Sequence, residues 1–552
     1  MSAQPRVQSP LLSKDFDYAR RWLKEMAFIR AFEKHALELS IADPPRVSGS
    51  IHLCAGQEAV PVGALAALRE DDPILATYRG HGWAIASGLN PESIMAEICH
   101  KVTGINGGRA GSAYFMAPWT RFIGENSIVG ASTTIACGIA IAARLQSSSR
   151  VALVSIGDGA LNQGGVHEAM AFAAAKSLPI IFVIENNGWS ELTATKDMFR
   201  IERLADRAAS YGIVGKSLLG TDPFAVRDAI AEAADRSRNN HGPTVLEFIV
   251  PRLWGHYNRD VEHYRSAEDR DAAAREDPIV LLSKRLEMVG AETTDSIGRV
   301  IEEQQVAVEK IAELALSSAD PDPTSVRQHV VATPPVTSID NGLEIIESRE
   351  MRFIDAVNLA LRTQLQDDPR TIIFGEDVGK SGGIFQATRF LQRDFGSERI
   401  FDTPIAENAI LGAAVGAAMS GLRPIAEIMW ADFLFVAIDQ LINQAANVRY
   451  ITSGAASVPM VVRTQQGVTP GSCAQHSQSI EGLLAHIPGL KIAVPSCPND
   501  AYALLRAAAA DPDPCVVIES RAAYQTRGTV QITAAPEPVG RAKLLRSGTD
   551  AL

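Results

Sequence analysis

VALVSIGDGA at residues 151–160 and IIFVIENNGW at residues 180–189 decide how this chain folds. Each is an apolar run that ends abruptly in Gly, Asp, Glu or Asn. Runs apolar at consecutive positions read as strands covered on both faces, the condition of a parallel sheet. Gly165–Ser177 between them carries a helical pattern, and Val245–Val250 reads as a further strand. Strand, helix and strand in alternation predict an α/β class, with a doubly wound sheet flanked by helices. The polar residues then fall at the carboxyl ends of two strands, where open α/β sheets hold ligands.

Those residues have a chemistry. Asp158 offers a hard oxygen ligand, Asn187 a neutral amide oxygen, and Trp189 a main-chain carbonyl. With two diphosphate oxygens and a water they would complete the octahedron of Mg²⁺, for which Ca²⁺ or Mn²⁺ can substitute. Gly157 and Gly159, followed by Ala160, let the backbone approach a bulky anion. Tyr78 and Arg79, in YRGHG at residues 78–82, supply a phenol and a guanidinium for phosphate oxygens. His256, in WGHY at 254–257, would donate to phosphate or substrate. Each has a plainer alternative: a surface turn for GDG, an ordinary loop for YRGHG, a structural histidine for His256.

Working outward, residues 18–42 form an amphipathic helix stopped by Pro44 and Pro45. Residues 285–318 are helical and charged, and Ser318–Asn341 collects Asp, Pro, Ser and Thr as a linker would. A second α/β pattern follows, with helix 350–365, strand Thr371–Phe374, helix 407–419, strand Pro424–Met429, helix 433–450, and strands Met460–Arg463, Lys491–Val494 and Cys515–Glu519. The resulting division is a diphosphate and metal domain over 1–320, a linker over 321–346, and a second domain over 347–535. Residues 536–552 would begin a further segment.

The second half offers an acid. Glu407, in DTPIAE at 402–407, sits between a proline-stiffened turn and an apolar helix, where burial would raise its pKa. A protonated carboxyl of that kind beside a pyrimidine nitrogen is what activation of thiamine diphosphate requires. Glu376 follows strand 371–374 and can organise the polar network around Glu407. Phe433 offers a flat face for the pyrimidine, and His476, in AQHSQ at 474–478, a group for a substrate carboxylate or a proton.

Composition sets the outer limits. A chain of 552 residues needs more than one core. A net charge of −12 without a long basic run argues against nucleic acid and against anionic membranes. Six scattered cysteines without a CxxC pair read as reduced thiols of a cytoplasmic enzyme. Met1–Pro10 lacks a secretory apolar core, and the apolar stretch Ala409–Ala418 is too short to span a bilayer.

The motifs together resemble the E1 component of 2-oxoacid dehydrogenases, of the pyruvate, branched-chain and acetoin types, with α-like and β-like halves fused. His52, Leu53 and Gly56–Ala59 match HLxxGQEA; residues 78–82 match YRxHG; Ile128–Ala131 match an IVGA stretch; GDGALNQG at 157–164 and ENNGW at 185–189 match the metal motif. GEDVGKSGGIF at 375–385, DTPIAE, GLRPIAE at 421–427 and AQHSQ match the β-like half. The resemblance implies two transketolase-like, thiamine-diphosphate-binding domains, with Val129 and Gly130 facing the aminopyrimidine. It makes Glu407 the acid at the pyrimidine and His476 the substrate group, and places His52, His81 and His256 at the reacting or phosphate end.

The implied reaction is decarboxylation of a small 2-oxo acid, with acyl transfer to the lipoyl group of an acyltransferase, by a homodimer. Alternatives are an acyloin-forming or acetoin-cleaving enzyme using an aldehyde acceptor, and a non-catalytic scaffold that binds cofactor. The chain departs from the family at Ser112-Ala113-Tyr114, where Ser-Met-His is usual, and at Tyr257, where Ser is usual. It also reads Ser190-Glu191-Leu192 near the hydrophobic wedge under the cofactor, so that Leu192 fills the wedge only with a one-residue shift. The family's β-type C-terminal lobe is expected to be absent.

Overall fold

The computed structural model describes residues 11–333 and 344–540. The polar start Met1–Pro10, the linker residues 334–343 and the terminal stretch 541–552 lie outside the described residues. The chain forms two compact units, one within residues up to Gln328 plus Tyr450–Ala456, the other from His329 onward without that segment.

The first unit is built on strands β1 (Ile74–Thr77), β2 (Phe122–Asn126), β3 (Ala152–Gly157), β4 (Ile180–Asn186), β7 (Val214–Leu219) and β8 (Thr244–Ile249). They form one parallel sheet in the order β2-β1-β3-β4-β8-β7. β5 (Trp189–Ser190) and β6 (Thr193–Ala194) make a small separate hairpin. β3 and β4 are buried at every residue but the last, as their unbroken apolar runs require. From β1 the chain crosses to β2 on one side and returns to β3 on the other. That reversal opens a crevice beyond the carboxyl ends of β1 and β3.

Helix Phe16–Ile41 buries Trp22, Met26, Ile29, Phe32 and Ala36 on one stripe, close to the expected 18–42. The expected helix over 285–318 is two helices, Pro278–Met288 and Thr294–Ser317. Gly290, at φ 68°, breaks the first, and the Thr293 hydroxyl caps the second by accepting from the Ser296 N–H.

The second unit repeats the architecture. β10 (Thr371–Gly375), β11 (Ile400–Asp402), β12 (Arg423–Ile428), β13 (Val461–Gln466), β14 (Lys491–Ala493) and β15 (Cys515–Ser520) make a parallel sheet ordered β11-β10-β12-β13-β15-β14. β9 (Ile345–Arg352) pairs antiparallel with β16 (Arg527–Thr533). The expected helix 350–365 therefore starts at Phe353, because the residues before it are taken by β9. The expected helix 433–450 is instead a 3₁₀ turn (Ala431–Val436), a π-helical turn (Gln440–Ala445) and a short helix (Val448–Ile451). Gln440 and Gln444 lie on its buried side, which breaks the even apolar spacing of a regular helix. The chain is thus two α/β lobes with parallel sheets joined by a linker.

Gly63 shows how tightly the first unit is packed. A methyl there would meet the Pro223 carbonyl oxygen at 2.5 Å and Val226 Cβ at 2.8 Å. Gly298, on the exposed side of helix Thr294–Ser317, has nothing within 4 Å of such a methyl. Gly63→Ala should cost about 1–3 kcal/mol of stability by overpacking. Gly298→Ala should be neutral or stabilising by up to about 1 kcal/mol. Urea unfolding of both variants checks this, and equal midpoints would show that the helix contact is slack.

Candidate active site

A cavity of about 230 Å³ occupies the crevice beyond β1 and β3. Asp158, the residue after β3, is 2% exposed there. Its carboxylate accepts from the Gly159 N–H at 2.8 Å and from the Thr195 hydroxyl. Burial pushes its pKa up, while the Thr195 and Gly159 donors pull it down. Of the two asparagines at the end of β4, Asn186 closes the strand and is tied into the fold, its amide donating to Glu247 at 2.8 Å. Asn187 lines the cavity beside Trp189, whose N–H donates to the Asn187 side-chain oxygen at 3.1 Å. Gly157 faces open space, and Ala160 and Gly159 line the wall.

The opposite wall carries the cationic and aromatic groups. Tyr78 and Arg79 follow β1 and both line the cavity. The Arg79 guanidinium is fixed from behind, donating to the carbonyls of Leu53 at 2.5 Å and His256 at 3.1 Å. Helix Ala131–Leu145 starts at the cavity, with Val129, Gly130 and Ser132 in its wall. Gly130 sits at φ 85°, and a methyl on it would meet Val166 Cγ2 at 2.7 Å, so only glycine fits. The positive end of that helix favours an anion in the cavity.

The rings of His52 and His256 lie 4.8 Å apart, edge to face, and Tyr78 packs on both. Burial, then the charge of Arg79, pushes His52 down to about 2 and His256 down to about 4. Both imidazoles are therefore neutral near pH 7. His256 lines the cavity, and His52 stands behind it. His81 is elsewhere: fully buried, its Nδ1 lies 3.1 Å from Glu33 Oε2 and its Nε2 3.0 Å from Ser112 Oγ. Both ring nitrogens are engaged, so the expected place of His81 at the reacting end gives way to a place in the supporting structure.

In the second unit, Glu376 follows β10 and Glu407 opens helix Glu407–Met419. Glu407 is half-buried, and Ile405 in the turn before it is 83% exposed. His476 packs against Trp430 at 4.8 Å and against the edge of Phe433 at 5.3 Å. Arg521 stacks over Trp430 at 4.1 Å and donates to the His476 carbonyl at 2.5 Å.

The family of dehydrogenase E1 components matches residues 24–324, and the pyrimidine-binding domain of transketolase matches residues 349–527. The chain is 35% identical over 325 residues to the alpha subunit of acetoin:2,6-dichlorophenolindophenol oxidoreductase from Cupriavidus necator, covering 58% of this chain and 97% of that subunit. This chain belongs to the dehydrogenase E1 family. The E1 likeness extends to both halves: 46% identity over 201 residues to the 2-oxoisovalerate dehydrogenase beta subunit of Bacillus subtilis covers 36% of this chain and 62% of the relative. A pyruvate dehydrogenase E1 alpha subunit of Rhizobium meliloti is 35% identical over 300 residues, 54% of this chain and 86% of its own. The chain thus spans about three fifths of the beta-type relative and nearly all of the first alpha-type one. As an E1 it is a thiamine-diphosphate-dependent enzyme, with alpha-type and beta-type halves in one polypeptide.

The E1 cavity fits a hard cation held against a diphosphate. One buried carboxylate, one amide oxygen and one carbonyl are oxygen donors, and no group of three or more His, Cys, Asp or Glu side chains gathers around a metal position among the described residues. The cation would take its remaining ligands from the phosphates and water.

The sequence reading missed several wall residues. Gln57, Asn126, Gln163, Glu185 and Glu191 all line the E1 cavity. Glu185 stood inside the quoted ENN motif without a role; it accepts from the Trp83 indole at 2.8 Å and from the Ser155 hydroxyl. Glu191 lies in the wall, whereas Leu192 is exposed and outside it, so no one-residue shift brings the leucine in. Tyr114 is exposed and also outside the wall.

The neutral His256 gives a pH prediction. Its folded pKa lies below the unfolded value of about 6.5, so the unfolded chain binds the proton more readily. The stability this contributes is complete above the unfolded pKa and is lost as pH falls toward the folded one. Between about pH 6.5 and about pH 4, wild type should lose on the order of 1–3 kcal/mol that His256→Asn does not lose. Parallel acid profiles of the two urea midpoints would contradict a neutral buried imidazole.

Proposed function

We propose that this E1 decarboxylates a small 2-oxo acid on thiamine diphosphate anchored through Mg²⁺, and passes the acyl group to the lipoyl group of a separate acyltransferase. The observation that carries the reading is the convergence of Asp158, Asn187, Trp189, Tyr78 and Arg79 on one cavity at the sheet's crossover. When bound, thiamine diphosphate supplies the carbon nucleophile and the electron sink for loss of carbon dioxide.

The chain's own residues do the rest. Asp158, Asn187 and the Trp189 carbonyl hold the cation, and Arg79 with the start of helix Ala131–Leu145 neutralises the diphosphate. In the first unit Val129 and Gly130 would face a pyrimidine ring; in the second, Phe433 would offer it a flat face and Glu407, supported by Glu376, would donate a hydrogen bond to its ring nitrogen. His256 and His52, kept neutral, can accept a proton at the phosphate end. His476 faces the substrate carboxylate, its ring fixed by Trp430 and Phe433. A homodimer in the cytoplasm completes the reading. The cytoplasmic placement draws on the free cysteines, four of them buried; no described helix is long and apolar enough to cross a membrane.

A second reading, cleavage of acetoin or acyl transfer to an aldehyde, draws on two of the alpha-type relatives, both named as acetoin oxidoreductase subunits. Carbon dioxide release with a lipoyl acceptor, compared with product formation from acetoin or added aldehydes, separates the two.

Asp158→Ala should weaken Mg²⁺-dependent binding of thiamine diphosphate by about 100-fold or more in calorimetric titration. Unchanged affinity would remove the aspartate from the metal site. Glu407→Gln should bind the cofactor nearly as tightly as wild type, yet slow exchange of the thiazolium C2 proton by roughly 10²–10⁴-fold. Exchange at the wild-type rate, followed by proton NMR in deuterated water, would count against Glu407 as the acid.

A further inference from the structure

Behind the Tyr78–Arg79 wall lies a carboxyl that no part of the proposed chemistry uses. Glu125 on β2 is 3% exposed, and neither of its oxygens has a hydrogen-bond partner of good geometry. It pairs in register with Ala76 on β1, and its neighbour Asn126 lines the cavity together with residues 76–79. The carboxyl rests directly on Gly80: a methyl there would meet Glu125 Oε2 at 2.5 Å and the Thr77 carbonyl at 2.8 Å. Gly80 joins Arg79, which lines the cavity, to His81, which is locked to Glu33 and Ser112.

The surroundings of Glu125 oppose a negative charge. Helix Phe16–Ile41 brings up Glu33, whose carboxyl is held low despite its burial by the His81 ring beside it. Helix His81–Ala86 contributes His81 itself, already committed to Glu33. From the preceding loop, Phe115, whose carbonyl accepts from the Glu125 N–H, and Met116, packed against Gly124, are apolar, and the Arg79 guanidinium is turned to the Leu53 and His256 carbonyls. Only the Gly80 N–H favours a carboxylate. Burial, then the charge of Glu33, pushes the Glu125 pKa well up. A second anion here would have to draw in water or move away from Glu33, and the segment it touches is the one that presents Tyr78 and Arg79.

We propose that Glu125 is a positioning residue for the anion-gripping Tyr78–His81 segment, and that it does this as a neutral, proton-bearing carboxyl whose ionisation loosens the grip at alkaline pH. The inference rests on the reading of this cavity as the diphosphate site. The sign follows from the shift: the folded state holds this proton more tightly than the unfolded chain, so the contribution is complete in acid and is lost as pH rises through the folded pKa.

Glu125→Gln keeps the size of the side chain and stays neutral at every pH. Calorimetric titration of the full chain with thiamine diphosphate and Mg²⁺ should show wild-type affinity falling about tenfold or more between about pH 6 and about pH 9, with Glu125→Gln nearly flat. Infrared spectra of the cofactor-free protein at neutral pH should contain a protonated-carboxyl stretch that the variant lacks. The same alkaline fall in both proteins, or the absence of that stretch, would overturn the proposal. A wild type that binds no cofactor even at pH 6 would instead overturn the diphosphate reading, while the infrared band still reports on Glu125. Glu125→Met, also uncharged, serves the same comparison if the glutamine variant does not fold.

Discussion

A carboxylate at the mouth of a sheet buried on both faces must be compensated, and the compensation of Asp158 organises the first unit. β3 delivers it to a place with almost no solvent, where an uncompensated charge would cost several kcal/mol. Two donors, the Thr195 hydroxyl and the Gly159 N–H, are too few for an ionised group with four lone-pair sites. The remaining capacity points into a cavity edged by an amide oxygen and a guanidinium. A divalent cation with its anionic ligand, as in the proposed function, would satisfy that arrangement.

The supports around it are polar and buried. Arg30 holds Glu58 and Asp277 together, Glu33 holds His81, and Glu185 is clamped by Trp83 and Ser155. Replacing such pairs with apolar groups would often be neutral for stability, so stability alone does not explain them. Their common property is position: each fixes a segment that reaches the cavity or its immediate backing. His81 is the clearest case, since it anchors the far end of the loop that carries Tyr78 and Arg79 and touches nothing in the cavity itself. The polar interior therefore acts as a rigid frame for a site that needs its charges at fixed places.

What the sequence made legible follows from periodicity and from residues at strand ends. β3, β4 and β8 were readable because both faces are buried and their runs are uninterrupted. β1 was hidden by its four-residue length, and β7 by half-buried, mixed residues that mimic a loop. Asp158, Asn187, Tyr78 and Arg79 fall together because each follows a strand of the same sheet, which is the geometry the spacing implied. Glu125 left no such mark. Its significance lies in what surrounds it in three dimensions, and a lone glutamate in FIGEN looks like any polar residue between strands. His81 misled for the opposite reason: a histidine inside a motif reads as chemistry until its partners are known.

The second unit solves its own charge problem internally, and this narrows which of its residues can meet a ligand. Arg463 is fully buried, with both outer nitrogens and Nε donating to Glu427 and Glu519, the latter also accepting from the Tyr524 hydroxyl at 2.7 Å. Two carboxyls share one guanidinium, and burial raises the pKa of Glu427, so the cluster is closed to outside anions. Arg521 gives its Nη2 to main-chain carbonyls and lies over the face of Trp430, while its Nε and Nη1 make no hydrogen bond. Arg463 is not placed to grip a substrate carboxylate. His476 remains, its backbone held by Arg521 and its ring by Trp430 and Phe433, with its Nδ1 lacking a hydrogen-bond partner. Arg463 is therefore an internal brace, and Arg521 holds the backbone of the segment that carries the imidazole.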